Sequence, residues 1–270
     1  MSRLKPCCGI RDTDSALGLT AIVHRVRAAA GVCLIRTIVI AIILTAVATM
    51  TAQAGDAEDC GNAAALLQTD PARAVSACSN LAEQGDAHAE FMLGAMYNFG
   101  EGVLQDYARA SLWYRKAADQ GVAGAQYNLG VMYDTGQGVT QDHAAALQLY
   151  RAAADQGMAG AQYNLALSYA QGLGLPRDYK AAAELYRKAA EQGFAAGQLN
   201  LGALYQNGDG VPMDYVQAYM WYTLAAAAFP PGADGDRAAR NRDQVARRMS
   251  PDEISRAQQL AAEWKPKMAE

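Results

Sequence analysis

The chain repeats one pattern of residues every 36 positions, with no insertion or deletion between copies. Residues 125–133 read AQYNLGVMY, and related stretches begin at positions 89, 161 and 197. The rest of the pattern recurs with the same period, as aspartate at Asp106, Asp142, Asp178 and Asp214 and tyrosine at Tyr114, Tyr150, Tyr186 and Tyr222. A fixed period between about 20 and 50 residues is typical of a solenoid, in which each unit packs on the next.

The first half of each unit predicts an amphipathic helix. The i, i+4, i+7, i+8 spacing that puts apolar groups on one helical face is met in the second copy by Ala125, Leu129, Met132 and Tyr133. Gly130 lies inside this helix, where glycine costs roughly 1 kcal/mol relative to alanine. We therefore expect the glycine position to make close contact with a neighbouring backbone. The equivalent Ala166 indicates that a small side chain suffices there.

The second half of each unit predicts another helix, which begins at the repeated aspartate. The side-chain oxygen of aspartate caps free N–H groups at a helix start. Between the two helices lies a Gly-x-Gly pair, such as Gly136 and Gly138, which permits the left-handed backbone that ends a helix. Each unit is thus a helix–turn–helix hairpin that buries its apolar face by stacking on its neighbours. The predicted fold class is all-α, a right-handed α-solenoid with helical caps.

The pattern A-x-Y-x-L-G-x-x-Y, followed by G-x-G-V, the aspartate and an Ala-Ala pair, resembles the Sel-one-like repeat family. That family is the slightly longer relative of the tetratricopeptide repeat. The resemblance covers residues 85–228 as four full units, and it implies a scaffold that binds proteins or peptides. Departures from the pattern are local, because Ala166 replaces the helix glycine and Gly197 replaces the first alanine.

Analogy with the tetratricopeptide relative implies that the first helices of the units line a concave groove. It places these polar side chains in or beside the groove: Asn128, Asn164, Asn200, Asn98, Asp134 and Gln206. An amide group both donates and accepts hydrogen bonds, which matches a peptide backbone. The alternative is that the asparagines cap or bridge neighbouring helices inside the stack.

Residues 1–54 are predicted to be a signal peptide. Their uncharged apolar run, Ile38 to Met50, is short for a membrane span but suits a signal-peptide core. The small-x-small sequence at 52–54 predicts cleavage after Ala54 and a mature chain that starts at Gly55. We therefore expect a periplasmic or secreted protein that meets the membrane only transiently. The alternative is an uncleaved segment that anchors the protein to the membrane.

Two of the five cysteines, Cys60 and Cys78, lie outside this leader. An even pair in an exported chain favours a disulfide, and the alternative is two buried thiols. One period before the first repeat, these cysteines align with a first-helix and a second-helix position of one hairpin. Asp70 aligns with the repeated aspartate. Residues 55–84 are therefore predicted to be a degenerate, shortened unit that caps the N-terminal end.

Residues 229–270 predict a helical cap for the other end. One helical stretch runs from Asp234 to Met249, and another runs to Trp264 from a capping-box start at Ser250 and Glu253. An apolar stripe that would seal the last repeat consists of Val245, Met249, Ile254, Ala257, Leu260, Ala261 and Trp264. The tail also holds an arginine cluster, which is either a solvated face or a site for a partner or an anionic surface: Arg237, Arg240, Arg242, Arg247 and Arg248.

Charge and motif content argue against several functions. The chain has 23 Lys/Arg and 27 Asp/Glu, and six of the basic and two of the acidic residues precede Gly55. The remainder carries about −8, so we do not expect a nucleic-acid partner. The Ser-x-x-Lys sequence at 2–5 lies inside the leader, and His88 and His143 occupy unrelated repeat positions. No catalytic residue, metal site or cofactor is therefore predicted.

The function expected from these features is a non-enzymatic, monomeric scaffold of the cell envelope that binds a protein or peptide ligand. One alternative is a membrane-anchored regulatory or assembly factor. Another is penicillin-binding or β-lactamase-like activity, which has been associated with cysteine-rich proteins similar to this family. Those proteins carry a cysteine pair in each repeat, whereas this chain carries one pair after its leader.

Overall fold

The computed structural model describes residues 52–267, and within that range every regular element is a helix. The chain divides into two compact units, Met1–Gly55 and Asp56–Glu270, and the stacked helices belong to the second unit. Residues 52–61 are helical. They are followed by α1 (Ala63–Thr69), α2 (Pro71–Glu83), α3 (Ala87–Phe99), α4 (Tyr107–Asp119), α5 (Ala123–Thr135), α6 (His143–Asp155), α7 (Ala159–Gln171), α8 (Tyr179–Glu191), α9 (Ala195–Asn207), α10 (Tyr215–Ala228), α11 (Ala233–Ala246) and α12 (Pro251–Glu263).

The four pairs α3–α4, α5–α6, α7–α8 and α9–α10 are the hairpins that the 36-residue period predicts. Each first helix ends at a glycine with a left-handed backbone, at Gly100, Gly136, Gly172 and Gly208. Each second helix begins at an aspartate whose side chain accepts a hydrogen bond from a backbone N–H of the first turn, at Asp106, Asp142, Asp178 and Asp214. Both kinds of predicted helix signal are confirmed.

Successive hairpins stack through shared apolar clusters. In one of them, Tyr114 and Ala117 of α4 pack with Leu129 and Met132 of α5, which belongs to the next hairpin. The helices within a hairpin and the helices of adjacent hairpins therefore bury one continuous core, as expected of a solenoid. The predicted α-solenoid is confirmed.

The N-terminal end is closed by a shortened hairpin. A disulfide joins Cys60 to Cys78 of α2, as predicted. Asp70 caps α2 by accepting a hydrogen bond from the backbone N–H of Arg73. Both cysteines are buried in one cluster with Leu93 and Met96 of the first repeat.

The C-terminal end is closed by the two helices of the tail. Ser250 and Glu253 form the predicted capping box at the start of α12. Val245 of α11 and Ala257 of α12 are buried against α10, while Trp264 packs edge-on against Trp221 of that helix. The apolar stripe of the tail therefore seals the last repeat.

The glycines repeated inside the first helices face an aromatic ring first. At this repeat position a neighbouring backbone atom is among the nearest contacts only at Gly202, where a Cβ would lie 3.3 Å from the Ala218 carbonyl oxygen. A Cβ on Gly94 would lie 2.7 Å from the ring of Tyr114, and one on Gly130 would lie 2.8 Å from the ring of Tyr150. Each ring belongs to the second helix of the same hairpin. The third repeat has Ala166 at this position, in one cluster with Tyr186. The position is therefore small because a buried tyrosine lies across the hairpin.

Candidate partner-binding surface

The three repeated asparagines occupy equivalent places on the first helices α5, α7 and α9. Asn128, Asn164 and Asn200, which we call the asparagine stripe, are all half-buried. Each interacts with the hydroxyl of a buried tyrosine from the preceding hairpin, in the pairs Asn128–Tyr114, Asn164–Tyr150 and Asn200–Tyr186. The stripe thus bridges neighbouring units, which supports the structural role weighed for these residues. The three side chains are also partly exposed, so a partner can reach them.

The tyrosines beneath the stripe are buried deeply enough to alter their acidity. Burial raises the pKa of Tyr114 to about 12 and also raises the pKa of Tyr150 and Tyr186, while the neighbouring asparagine amide opposes the rise. The Tyr114 hydroxyl makes no hydrogen bond of good geometry within the described residues, so its contact with Asn128 is weak. Each phenol therefore stays protonated at neutral pH.

The other three predicted groove residues make contacts within their own hairpins. Asp134 lies 2.6 Å from Nδ1 of His143 and accepts a long, 3.5 Å hydrogen bond from Tyr150. Gln206 accepts a 2.7 Å hydrogen bond from the Tyr222 hydroxyl. The backbone carbonyl of Asn98 accepts a hydrogen bond from Gln105. All three are half-buried, and their contacts hold the end of a first helix against the second helix or the turn.

Three half-buried aromatic residues lie behind the stripe. Phe91, Tyr127 and Tyr163 each place a ring 5.7 to 6.2 Å from the buried tyrosine of their own hairpin. Tyr163 also interacts with Asn200 and lies within electrostatic reach of Asp234 and Arg237 at the start of α11. The tail therefore lies near the C-terminal end of the asparagine stripe.

A second polar column, which the sequence did not reveal, joins the units on another side. Gln156 donates through Nε2 to the carbonyl of Gly121 and to Oε1 of Gln126, and Gln192 repeats both contacts with Gly157 and Gln162. Gln126 and Gln162 in turn donate to buried carbonyls at Ala118 and Ala154. The sequence does show that glutamine recurs at positions 126 and 162 and at positions 156 and 192. It does not show that Gln156 and Gln192 bond to residues 30 and 35 positions earlier.

The arginine cluster of the tail is largely engaged within the chain. Arg237 pairs with Asp234, Arg242 pairs with Asp243, and Arg248 donates to the Tyr215 hydroxyl. These contacts are consistent with a solvated face. Across residues 52–267, no group of three or more His, Cys, Asp or Glu side chains is placed to hold a metal ion. No helix in the same range is long and apolar enough to cross a membrane.

The stacked helical hairpins define a tetratricopeptide-like repeat protein. Four consecutive segments match the Sel1 repeat model, namely residues 87–122, 123–158, 159–194 and 195–228, which together make up more than half of the chain. The chain therefore belongs to the Sel1 repeat family. Proteins of this family are typically protein-interaction scaffolds and are generally non-enzymatic.

Two solved structures are similar to this chain. A Sel1 repeat protein from Oxalobacter formigenes is 38% identical, with a TM-score of 0.58, over 65% of this chain and 49% of that one. A protective antigen present in uropathogenic Escherichia coli strains is 30% identical, with a TM-score of 0.50, over 73% of this chain and 49% of that one. This chain thus spans about half the length of each. No curated protein sequence matches it.

Proposed function

We propose that this protein is a non-enzymatic scaffold of the bacterial cell envelope, which binds a protein or peptide along the asparagine stripe. One observation carries the proposal. Three half-buried amides recur every 36 residues on successive first helices, and each rests on a tyrosine hydroxyl of the preceding unit. A partner that crosses several units would meet the same polar group at each one.

The chemistry of an amide suits this double role. An asparagine side chain has two N–H donors and a carbonyl with two lone pairs, so a contact with one hydroxyl leaves groups for a partner backbone.

The test is capture of a partner from envelope extract by the wild-type protein and by two triple variants. The first variant, Asn128→Ala/Asn164→Ala/Asn200→Ala, removes the amides and should lose the partner. The second, Tyr114→Phe/Tyr150→Phe/Tyr186→Phe, removes the hydroxyls beneath the amides but leaves the amides in place, so it should retain the partner. Circular dichroism and thermal melting establish that both variants remain folded.

Two outcomes contradict the stripe as the binding surface. If the asparagine variant is folded and still captures the partner, binding lies elsewhere, and the arginine cluster is tested next. If the asparagine variant unfolds while the tyrosine variant does not, the amides serve the stack and the assignment of the stripe is wrong.

The envelope location rests on the leader and on the disulfide. A disulfide persists in oxidising compartments such as the bacterial periplasm. The boundary between the two compact units, after Gly55, lies one residue from the predicted cleavage site after Ala54. Intact-mass analysis of the protein from a periplasmic fraction should give the mass of residues 55–270. Recovery of the uncleaved chain in the membrane fraction would favour the anchored regulatory or assembly factor.

The absence of enzymatic activity is also a proposal. Hydrolysis of nitrocefin by the purified protein tests the β-lactamase-like alternative directly, with a known β-lactamase as the positive control. We expect no turnover above the buffer rate. Turnover that persists through purification would overturn the scaffold assignment.

A further inference from the structure

The second helix of the first repeat carries an exposed apolar patch. Leu112 of α4 is 60% exposed and adjoins the half-buried Trp113. Both side chains line a cleft of about 500 Å³, together with the charged residues Arg109, Arg115, Lys116 and Asp119. This surface, which we call the α4 cleft, is separate from the asparagine stripe, whose members lie on α5, α7 and α9.

The equivalent positions of the fourth repeat are also apolar, but they are covered. Three periods after Leu112 and Trp113 stand Met220 and Trp221, which are only 6% and 5% exposed. The cover is the end of the tail, because the cluster that contains them packs against Leu260, Ala261 and Trp264. The rings of Trp221 and Trp264 meet edge to face at 6.3 Å. The chain therefore contains an example of the element that fits this surface, the apolar stripe of α12.

The middle repeats show what stands at this position without such a cover. The residues equivalent to Leu112 are Gln148 in the second repeat and Glu184 in the third, and both are exposed. Among the four repeats, an apolar residue is present at this position only in the first and the last. The last one is covered by α12, and no described residue covers the first to the same extent. A partner from outside the described part of the chain would complete the pattern.

The charges around the α4 cleft indicate what the partner carries. Arg109, Arg115 and Lys116 surround the apolar pair, against one lining carboxylate at Asp119, although the whole chain has a net charge of −4. Nζ of Lys116 lies 3.9 Å from the centroid of the Trp113 ring. Arg109 forms a salt bridge with Asp106 at 3.4 Å. In the covered fourth repeat, Leu224 replaces the lysine and Gln217 replaces Arg109. The cleft therefore favours acidic groups beside an apolar stripe.

We propose that the α4 cleft binds an amphipathic helix of a partner protein. The apolar stripe of that helix resembles the one that α12 lays on Met220 and Trp221, and its flanks carry Asp or Glu that meet Arg109 and Lys116. The inference rests on the protein-binding function proposed above but uses a different surface. The two proposals therefore fail independently.

The test uses a peptide with the sequence of residues 250–264, end-blocked and labelled with fluorescein. It carries the α12 apolar stripe with three acidic side chains and one arginine. Fluorescence anisotropy with the full-length protein should show saturable binding that weakens as salt rises, because exposed charge pairs are screened. Leu112→Gln, which introduces the residue native to position 148, should weaken binding at least tenfold. Lys116→Glu should weaken it further at low salt.

A matched control and two outcomes complete the test. Glu184→Gln alters the equivalent position of the third repeat and should leave binding unchanged. Binding that is absent in the wild type, or unaffected by Leu112→Gln in a variant of unchanged helicity, overturns the proposal. A concentration-dependent dimer of the full-length protein that Leu112→Gln dissociates would also overturn it, since a second copy would then occupy the cleft. The asparagine variant should bind this peptide normally, which separates the two sites.

Discussion

The size of one residue inside each first helix governs how closely the two helices of a hairpin approach. Gly130 lies so near the Tyr150 ring that even a Cβ would stand 2.8 Å from it, and that ring is almost completely buried. The tyrosine occupies the space that a side chain on the glycine would otherwise fill. The glycine and the tyrosine are therefore one packing unit, although they lie 20 residues apart.

This pairing predicts losses of stability of different size for two substitutions. Gly130→Leu should lower the free energy of unfolding by about 3 kcal/mol, because an overpacked core forces the Tyr150 ring from its place. Ala166→Gly should cost about 1 kcal/mol, because glycine loses more backbone entropy in a helix interior. Urea denaturation followed by circular dichroism measures both changes. A Gly130→Leu protein as stable as the wild type would show that the ring moves freely and that the tight fit is unimportant.

At the scale of elements, the second polar column, formed by glutamines such as Gln126 and Gln156, holds one hairpin against the next. Gln126 and Gln162 each accept a hydrogen bond from a glutamine 30 residues later. Gln198 is the next member and is 1% exposed, but its Oε1 has no hydrogen-bond partner among residues 52–267. Position 228, which is 30 residues later, holds alanine. The column therefore ends on a buried acceptor without a donor.

Ala228→Gln should complete the column and stabilise the last repeat. The new side chain would donate to Oε1 of Gln198, and we expect a gain of about 1 kcal/mol in the free energy of unfolding. The control is the same substitution in a Gln198→Met background, where the acceptor is gone and the gain should vanish. An equal gain in both backgrounds would mean that glutamine at position 228 stabilises the C-terminal end of α10 itself and makes no bond to Gln198.

The disulfide acts on the N-terminal cap. Cys60→Ser/Cys78→Ser should lower the free energy of unfolding by about 3 kcal/mol. Without the disulfide, the unfolded chain between these positions has more conformational entropy, which favours the unfolded state. In a solenoid the loss stays near the altered unit, since each unit contacts only its neighbours. Hydrogen exchange should therefore accelerate in α1 and α2 and remain unchanged in α9 and α10. Uniform acceleration along the chain would contradict this local effect.

Much of the element scale could be predicted from the sequence because its signals are local. Asp142 at the start of α6 and Gly136 at the end of α5 act on backbone groups within a few residues, so the pattern alone places the helices. The capping box at Ser250 is equally local. The contacts of the stripe are not, because Asn128 meets Tyr114 across a unit boundary.

Periodicity also hides which columns meet. Every column recurs with the same 36-residue spacing, so the period alone cannot tell that glutamines 30 residues apart are bonded or that Gly94 faces Tyr114. The exposed Leu112 was missed for a related reason. Leu112 is identified as a candidate binding residue only by comparison with Met220, which lies three units away and is covered by the tail. To predict which columns meet, one must know the curvature of the stack. That curvature depends on many weak contacts together.

At the scale of the whole molecule, one buried tyrosine per repeat links stability to pH. Burial raises the pKa of Tyr114 and of Tyr222 to about 12, and it also raises the pKa of Tyr150 and Tyr186. An exposed tyrosine in the unfolded chain has a pKa of about 10. The folded state therefore holds these four protons more tightly than the unfolded state. The stabilisation that the four phenols give to the folded state is fully present below about pH 10.

The solenoid should lose stability as the pH rises from about 10 to about 12, because the unfolded chain then ionises first and is favoured. Since the tyrosines are spread over all four repeats, the loss should appear as one broad unfolding of the stack and not as fraying of an end. Urea denaturation at pH 8, 10 and 11 should show the decline, with tyrosinate absorbance rising in the same range. Tyr150→Phe should reduce the pH dependence of the free energy of unfolding. A Tyr150→Phe protein with the same pH dependence as the wild type would show that alkaline unfolding arises from other groups. A phenylalanine side chain cannot ionise, so this variant lacks one of the buried phenols whose raised pKa links folding to pH.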